Sequence, residues 1–372
     1  MTMIKLNPKK KIVIDCCLIS NDMRGMGIYL KKILYGINDV HDSDILLLTN
    51  SRKGVSILKK NFKSNKNITV RYIGMPQPIL EQIYIPLICL IKNIDFLISS
   101  GDSGSILKTS KKSILIIHDV LYMKTDKNKI TGNTLRRKFG RFYRKIVVSI
   151  ASKKADLIIT VSNFAKKDII KELSVNEKII NIIPNGVDTS LEIDSQGLLE
   201  KNRRILIVSG SDKQKNLRPI LQKLVNNKML CASFDAIDVV GVKDANELNM
   251  RSYSFINFYG FIQHDQIINL YKQSSHFLIP SLYESFGIPA IEALMAGCKV
   301  FSSNTGALCE VLADRGIFFN PYDNDSINSM IENIVKSETI SEEEYKKNLY
   351  QASKYLWSNS ALKFTNLLNE IK

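Results

Sequence analysis

The stretch PSLYESFGIPAIEALMAGCKV (Pro280–Val300) decides the fold. The apolar run HFLIP leading into it reads as a buried strand that ends in a loop. Glu284 lies in that loop, Gly287 follows, and Pro289 marks a first helical turn. Glu292 comes eight residues after Glu284 and falls on the helix. CKVFSS (Cys298–Ser303) then reads as the next strand.

Backbone N–H groups near Phe286–Ile288 would form an anion site aided by the helix dipole. A carboxylate one turn further in, at Glu292, can accept two hydrogen bonds from a vicinal diol such as a ribose offers. Capping and solvation are the plainer use of two glutamates near a helix start.

The same alternation runs through the whole chain. KKIVIDCCL, DILLLTN, ITVRYIG, IDFLISS, SILIIHDV and ADLIITVS read as strands in the first half. RRILIVSG, FDAIDVVG, FINFYG, HFLIPS and CKVFSS do so in the second. Segments with apolar residues at helical spacing, GIYLKKILYGI and NLRPILQKLVN among them, lie between. Fully apolar strands separated by helices predict parallel sheets covered on both faces. Two such series predict two doubly wound α/β domains, with the polar stretch Pro184–Arg204 as the joint. Ligands of such sheets bind beyond the carboxyl ends of the strands.

Composition agrees with that size. The chain has 372 residues, 45% hydrophobic and 24% charged, which excludes a disordered chain or a small disulfide scaffold. Six scattered cysteines with no CxxC pair argue against structural zinc and point to a reducing compartment. The longest apolar run, Ile83–Ile91, contains Pro86 and falls far short of the ~20 residues that span a bilayer. The opening MTMIKLNPKKKIVIDCC is basic then apolar, but Asp15 interrupts it, so it reads as a first strand rather than a leader.

The net charge of +16 is unevenly placed. Residues 1–185 carry 33 Lys and Arg against 14 Asp and Glu, and the remainder carries 19 against 22. The excess is densest in KITGNTLRRKFGRFYRK (Lys129–Lys145), where Phe139, Phe142 and Tyr143 interleave with the cations. That pattern suits a solvated surface or an interfacial helix facing anionic lipid or a lipid pyrophosphate. Nucleic acid fits less well, because no recognisable nucleic-acid module accompanies the charge.

The order of the loop motifs carries a resemblance. ESFGIPAIEALMAG with its Glu284-x7-Glu292 spacing resembles the signature of the retaining, family-4-type glycosyltransferases of GT-B fold. GMGIY (Gly25–Tyr29) looks like their N-terminal glycine loop, and IIHDV (Ile116–Val120) like their His-Asp strand end. TVSNFAKKDI and IIPNGVD match the end of their first domain. SGSDKQKNL (Ser209–Leu217) resembles the basic phosphate loop of their second domain, and FYGFI and GALCEVL follow in the expected order. The family often has an arginine before the loop lysine, where Gln214 stands here, so one of the usual two cations is missing or supplied by Lys213.

The resemblance implies a GT-B fold: a first domain over 1–188 with a C-terminal helix at about 355–372 crossing back to it, a second domain over 200–354, and a cleft between. It implies His118, Lys215 and Glu284 as catalytic residues. His118 and Glu284 would touch the transferring sugar, and Lys215 would neutralise the leaving diphosphate. Donor contacts are expected from Gly25, Gly27, Gly210, Ser211, Gly260, Phe261, Ile262, Ser285, Phe286, Gly287, Ile288 and Glu292. At Gly25 and Gly27 the missing side chains would let backbone approach a ligand.

The expected activity is transfer of a hexose, leaning to mannose from GDP-mannose, onto a lipid-linked glycan of a surface polysaccharide such as O-antigen. A UDP- or dTDP-sugar donor, or a noncatalytic glycan-binding relative, are the alternatives. No cofactor and no metal are expected, since Asp42-Ser-Asp44 and Asp323-Asn-Asp325 read as turn and capping residues. The expected location is cytoplasmic and peripheral at the inner membrane face.

Overall fold

The computed structural model describes residues 9–20, 23, 25–124 and 135–371, with the side chains of 135–138 left undescribed. Of the expected basic patch, 129–134 and the side chains of Arg136, Arg137 and Lys138 therefore lie outside the described residues.

The first sheet comprises β1 (Lys10–Asp15), β2 (Ser43–Thr49), β3 (Ile68–Tyr72), β4 (Phe96–Ser99), β5 (Lys112–Ile116), β6 (Leu157–Thr160) and β7 (Ile180–Ile182). Its order is β3-β2-β1-β4-β5-β6-β7, and every pairing is parallel. The second sheet comprises β8 (Asn202–Val208), β9 (Ala236–Val240), β10 (Ile256–Gly260), β11 (Ser274–Ile279), β12 (Lys299–Ser303) and β13 (Gly316–Phe319). It runs β10-β9-β8-β11-β12-β13, also all parallel. Both sheets are thus doubly wound α/β, with the order reversing beside β1 and beside β8. That is the fold class the apolar strand pattern predicted.

Burial on both faces explains the strand composition. In the first unit, Leu80, Ile85 and Cys89 of a helical segment spanning 77–92 pack on Val13, Leu48 and Leu97. Val148 and Ala151 pack with Leu115, Ile117 and Ile158, and Ile169 and Leu173 join them. In the second, the helix Leu217–Asn226 buries Leu217, Ile220, Leu221 and Leu224 on Ile205, Ile207, Ile237 and Val239.

Pro184 closes the first unit, Asn185–Leu356 forms the second, and Trp357 onward returns to the first. The returning helix Trp357–Glu370 buries Trp357, Phe364 and Leu368. Its Ser360 Oγ donates to Pro184 O at 2.8 Å, and Thr365 Oγ1 to Gly36 O at 2.7 Å. Trp357 also meets Tyr29 edge-on at 6.3 Å.

The short edge strands and the joint differ from the sequence reading. The strands β7 and β13, three and four residues long, were not expected. Both are sheet edges too short to show a period. The supposed joint over 184–204 is largely folded into the second unit, with a turn at Thr189–Leu191 and a helix at Ser195–Leu199. Its polar composition conceals three buried apolar residues, Val187, Leu191 and Leu198. Among the described residues no helix is long and apolar enough to cross a membrane.

Candidate active site

In the second unit, the loops after β8 and β11 meet where the strand order reverses. Leu282 N–H donates to Gln214 O at 2.7 Å, joining them through the backbone. Lys215 Nζ then reaches Glu284 Oε1 at 2.7 Å. Both side chains are mostly shielded, which strengthens the attraction relative to an exposed pair. Gln214 Oε1, beside them in sequence, is buried without a hydrogen-bond partner among the described residues. Lys213, the alternative to a missing second cation, is exposed in the same turn.

The Glu284 loop is held by the segment 303–307 at the end of β12. Ser303 Oγ and Thr305 Oγ1 donate to Ser281 O at 2.6 and 2.7 Å, and Ala307 N–H donates to Glu284 O at 2.9 Å. Gly306 passes so close that an added Cβ would stand 2.3 Å from Glu284 O. Gly287, at φ +91°, opens the helix Ile288–Met295, with Pro289 in the first turn and no side-chain cap. Phe286 is buried edge-on against Tyr355 at 5.3 Å, while Ser285 and Ile288 are half-buried at the helix mouth. The helix start thus offers backbone N–H groups and the positive dipole end to an anion.

Glu292 sits in that helix, and Tyr271 OH donates to its Oε2 at 2.9 Å. Burial pushes its carboxyl up to about 7, with Asp188 adding to the rise and the Tyr271 bond opposing it. Tyr271, fully buried, has no motif around it that marks it in the sequence, so its role is visible only in three dimensions.

Other expected donor residues divide. Gly210 has open space around it. Ser211 turns away to donate to Glu247 Oε1 at 2.6 Å, and Glu247 also accepts from Lys243 N–H at 2.9 Å. Gly260 uses its N–H on Val242 O and its carbonyl on Gly241 N–H, so its own polar groups are engaged. Phe261 is exposed and Ile262 half-buried beside it.

In the first unit, His118 follows β5 and is buried. Its backbone N–H donates to Asp102 Oδ1 at 2.6 Å, and its ring meets Tyr29 edge-on at 4.6 Å. Burial holds the imidazole down to about 4, so it is neutral at physiological pH. Nε2 has no hydrogen-bond partner among the described residues. A neutral ring with an unused nitrogen is suited to hydrogen-bonding a hydroxyl. Asp102, which the sequence reading missed, is buried at φ +50°, and burial beside Asp119 raises its carboxyl.

Gly25 and Gly27 open the helix that carries Tyr29. Gly25 is exposed, with open space. At Gly27 a Cβ would meet Leu18 O at 2.5 Å, so that glycine serves packing against the chain itself.

Among the described residues no group of three His, Cys, Asp or Glu could hold a metal ion. Asp323 caps the helix Asn324–Lys336, accepting from Asp325 N–H, and Asp42 occupies a left-handed turn.

The family of Glycosyl transferases group 1 matches residues 190–354, and Glycosyltransferase Family 4 matches residues 91–191. The serotype-specific mannosyltransferase WbdA of Escherichia coli is 26% identical over 306 residues, covering 75% of this chain but 37% of that protein. The chain therefore spans little more than a third of that relative's length. The O-antigen chain mannosyltransferase RfbU of Salmonella typhimurium is 23% identical over 342 residues, 87% of this chain and 90% of that one. Among solved structures, Anabaena HepE in complex with UDP and glucose superposes with a TM-score of 0.67. It is 14% identical, covering 98% of this chain and 100% of that one, a likeness of fold.

Proposed function

The chain belongs to the family-4-type glycosyltransferases of GT-B fold, and on that premise we propose that it transfers a hexose from a nucleotide sugar to a growing surface glycan. The observation that carries the reading is the Lys215–Glu284 pair, at the strand-order reversal of the second sheet, with Glu292 on the helix that follows. Lys215 and the helix start at Gly287 take the charge of the donor diphosphate. Glu292 accepts from the ribose diol. Glu284 holds a sugar hydroxyl, and His118 hydrogen-bonds the sugar as a neutral ring.

The acceptor oxygen bonds to the anomeric carbon as the bond from that carbon to phosphate breaks. Attack on the same face keeps the configuration, and the departing phosphate oxygen takes the acceptor proton. No acid–nucleophile carboxylate pair of the hydrolase kind is needed for this route. The reaction is independent of metal.

The donor we favour is GDP-mannose, because WbdA and RfbU are named mannosyltransferases. The acceptor we favour is a lipid-linked glycan of O-antigen type at the cytoplasmic membrane face, in line with the basic first half. A thermal-shift panel of GDP, UDP and dTDP tests the donor. The largest rise is expected with GDP, and a rise with UDP alone would reassign the base.

A further inference from the structure

We infer that the outer face of the 77–92 helical segment, with the basic hollow at its end, docks the chain on an anionic phospholipid bilayer. The inner face of this segment is core, with Leu80, Ile85 and Cys89 buried. The outer face carries Ile79, Ile83, Leu87, Leu90 and Ile91, each between 44% and 72% exposed. Their spacing of three and four residues puts them on one stripe.

An ordinary solvent face would carry charge. Between Ile79 and Ile91 the only charged residue is Glu81, and it is buried. Its carboxylate turns inward to accept from Ser103 Oγ at 2.5 Å and Tyr143 OH at 2.8 Å. From Ile79 to Ile91 the outward face is therefore uncharged, and the exposed Lys92 follows at its end.

A helix bonded to this segment also carries exposed apolar residues. Tyr143 of the helix Leu135–Lys154 also accepts from Gln82 Nε2 at 3.1 Å, which ties the two together. Next to that joint, Phe139, Phe142 and Ile146 are 74%, 63% and 42% exposed. Exposed apolar residues gathered on one helical face, as on the 77–92 segment, mark an interaction surface.

The kind of partner follows from the charge. A hollow of about 510 Å³ opens between the end of the segment and β1–β3, with Ile91 at its wall. Lys11, Lys66, Arg71 and Lys92 line it against a single carboxylate, Asp44, which is itself paired with Lys9 at 3.5 Å. Cations beside an uncharged apolar stripe match an anionic lipid surface: phosphate headgroups meet the hollow and acyl chains meet the stripe. The same cations would repel a second copy of this face.

The inference deepens the lipid-linked acceptor of the proposed function, but it is read without any sugar transfer. The full chain is co-sedimented with phosphatidylglycerol vesicles and with pure phosphatidylcholine vesicles, at low and high salt. Two double variants are compared, Leu87→Glu with Ile91→Glu, and Lys66→Glu with Arg71→Glu. All four positions are exposed, and matching thermal melts establish that each variant is folded.

The parent is expected to pellet with phosphatidylglycerol, and each double variant to bind about tenfold more weakly or worse. Pelleting of both variants like the parent overturns the inference. So does a parent that ignores vesicles but forms a dimer by light scattering, dispersed by Ile91→Glu. Loss of sugar transfer with vesicle binding intact would count against the proposed function and leave the docking face standing.

Discussion

Lys215 Nζ lies 2.7 Å from Glu284 Oε1, linking the loop after β8 to the loop after β11. The pair makes each group's position depend on the other's. Lys215→Ala should lower kcat by about 10²- to 10³-fold, the scale of removing one group that stabilises developing charge. Glu284→Ala should lower kcat more than it raises the donor KM. The double variant should lose less than the product of the two, because each single change already releases the partner. Steady-state kinetics of the four proteins measures this, and simple multiplicativity would mean the two act apart.

Glu292 predicts a pH effect on donor binding. Its carboxyl is pushed up to about 7, so it gains a proton as pH falls through 7 and then has fewer lone pairs free for the ribose. The donor KM should rise below pH 7 while kcat changes little. Tyr271→Phe removes the bond that opposes the rise, so the limb should move to higher pH. Glu292→Gln should raise KM and flatten the limb. A KM that does not vary between pH 5.5 and 8.5 (the range of about one and a half units around 7) would remove Glu292 from the donor.

Much of this site was legible because the motif residues lie close in sequence or directly after strands. Glu284, Gly287, Pro289 and Glu292 span nine residues, and turn and helix-start chemistry fixes their order. Tyr271, Asp102 and Glu247 were not legible. Each acts through a partner 16 to 36 residues away, brought near by the parallel crossovers. The exposed stripe at 77–92 was hidden for another reason. In an apolar run such as Ile83–Ile91, composition does not say which face turns outward.

Gly306 supplies a stability test. Its backbone is left-handed at φ +64°, and an added Cβ would meet Glu284 O. Gly306→Ala should destabilise the protein by about 1–2 kcal/mol from the backbone alone. The clash should also displace Glu284 and lower kcat. Denaturant unfolding and kinetics together check this, and an unaltered kcat would show that the loop yields without moving its carboxylate.

Metal removal gives another test. Among the described residues no three ligating side chains cluster, and charge on the diphosphate is assigned to Lys215 and a helix start. Turnover should persist in excess EDTA and should not rise with Mg²⁺ or Mn²⁺. Loss in EDTA, restored by either ion, would remove Lys215 from that assignment.

The central claim is nucleotide-sugar-dependent glycosyl transfer, and nucleoside diphosphate release tests it most directly. Purified protein is incubated with GDP-mannose, UDP-hexoses or dTDP-rhamnose, each with and without lipid-linked acceptors. GDP release from GDP-mannose that depends on acceptor, and disappears with Lys215→Ala, is the predicted result. The absence of diphosphate release from every donor, with the folded protein binding glycan alone, would contradict it.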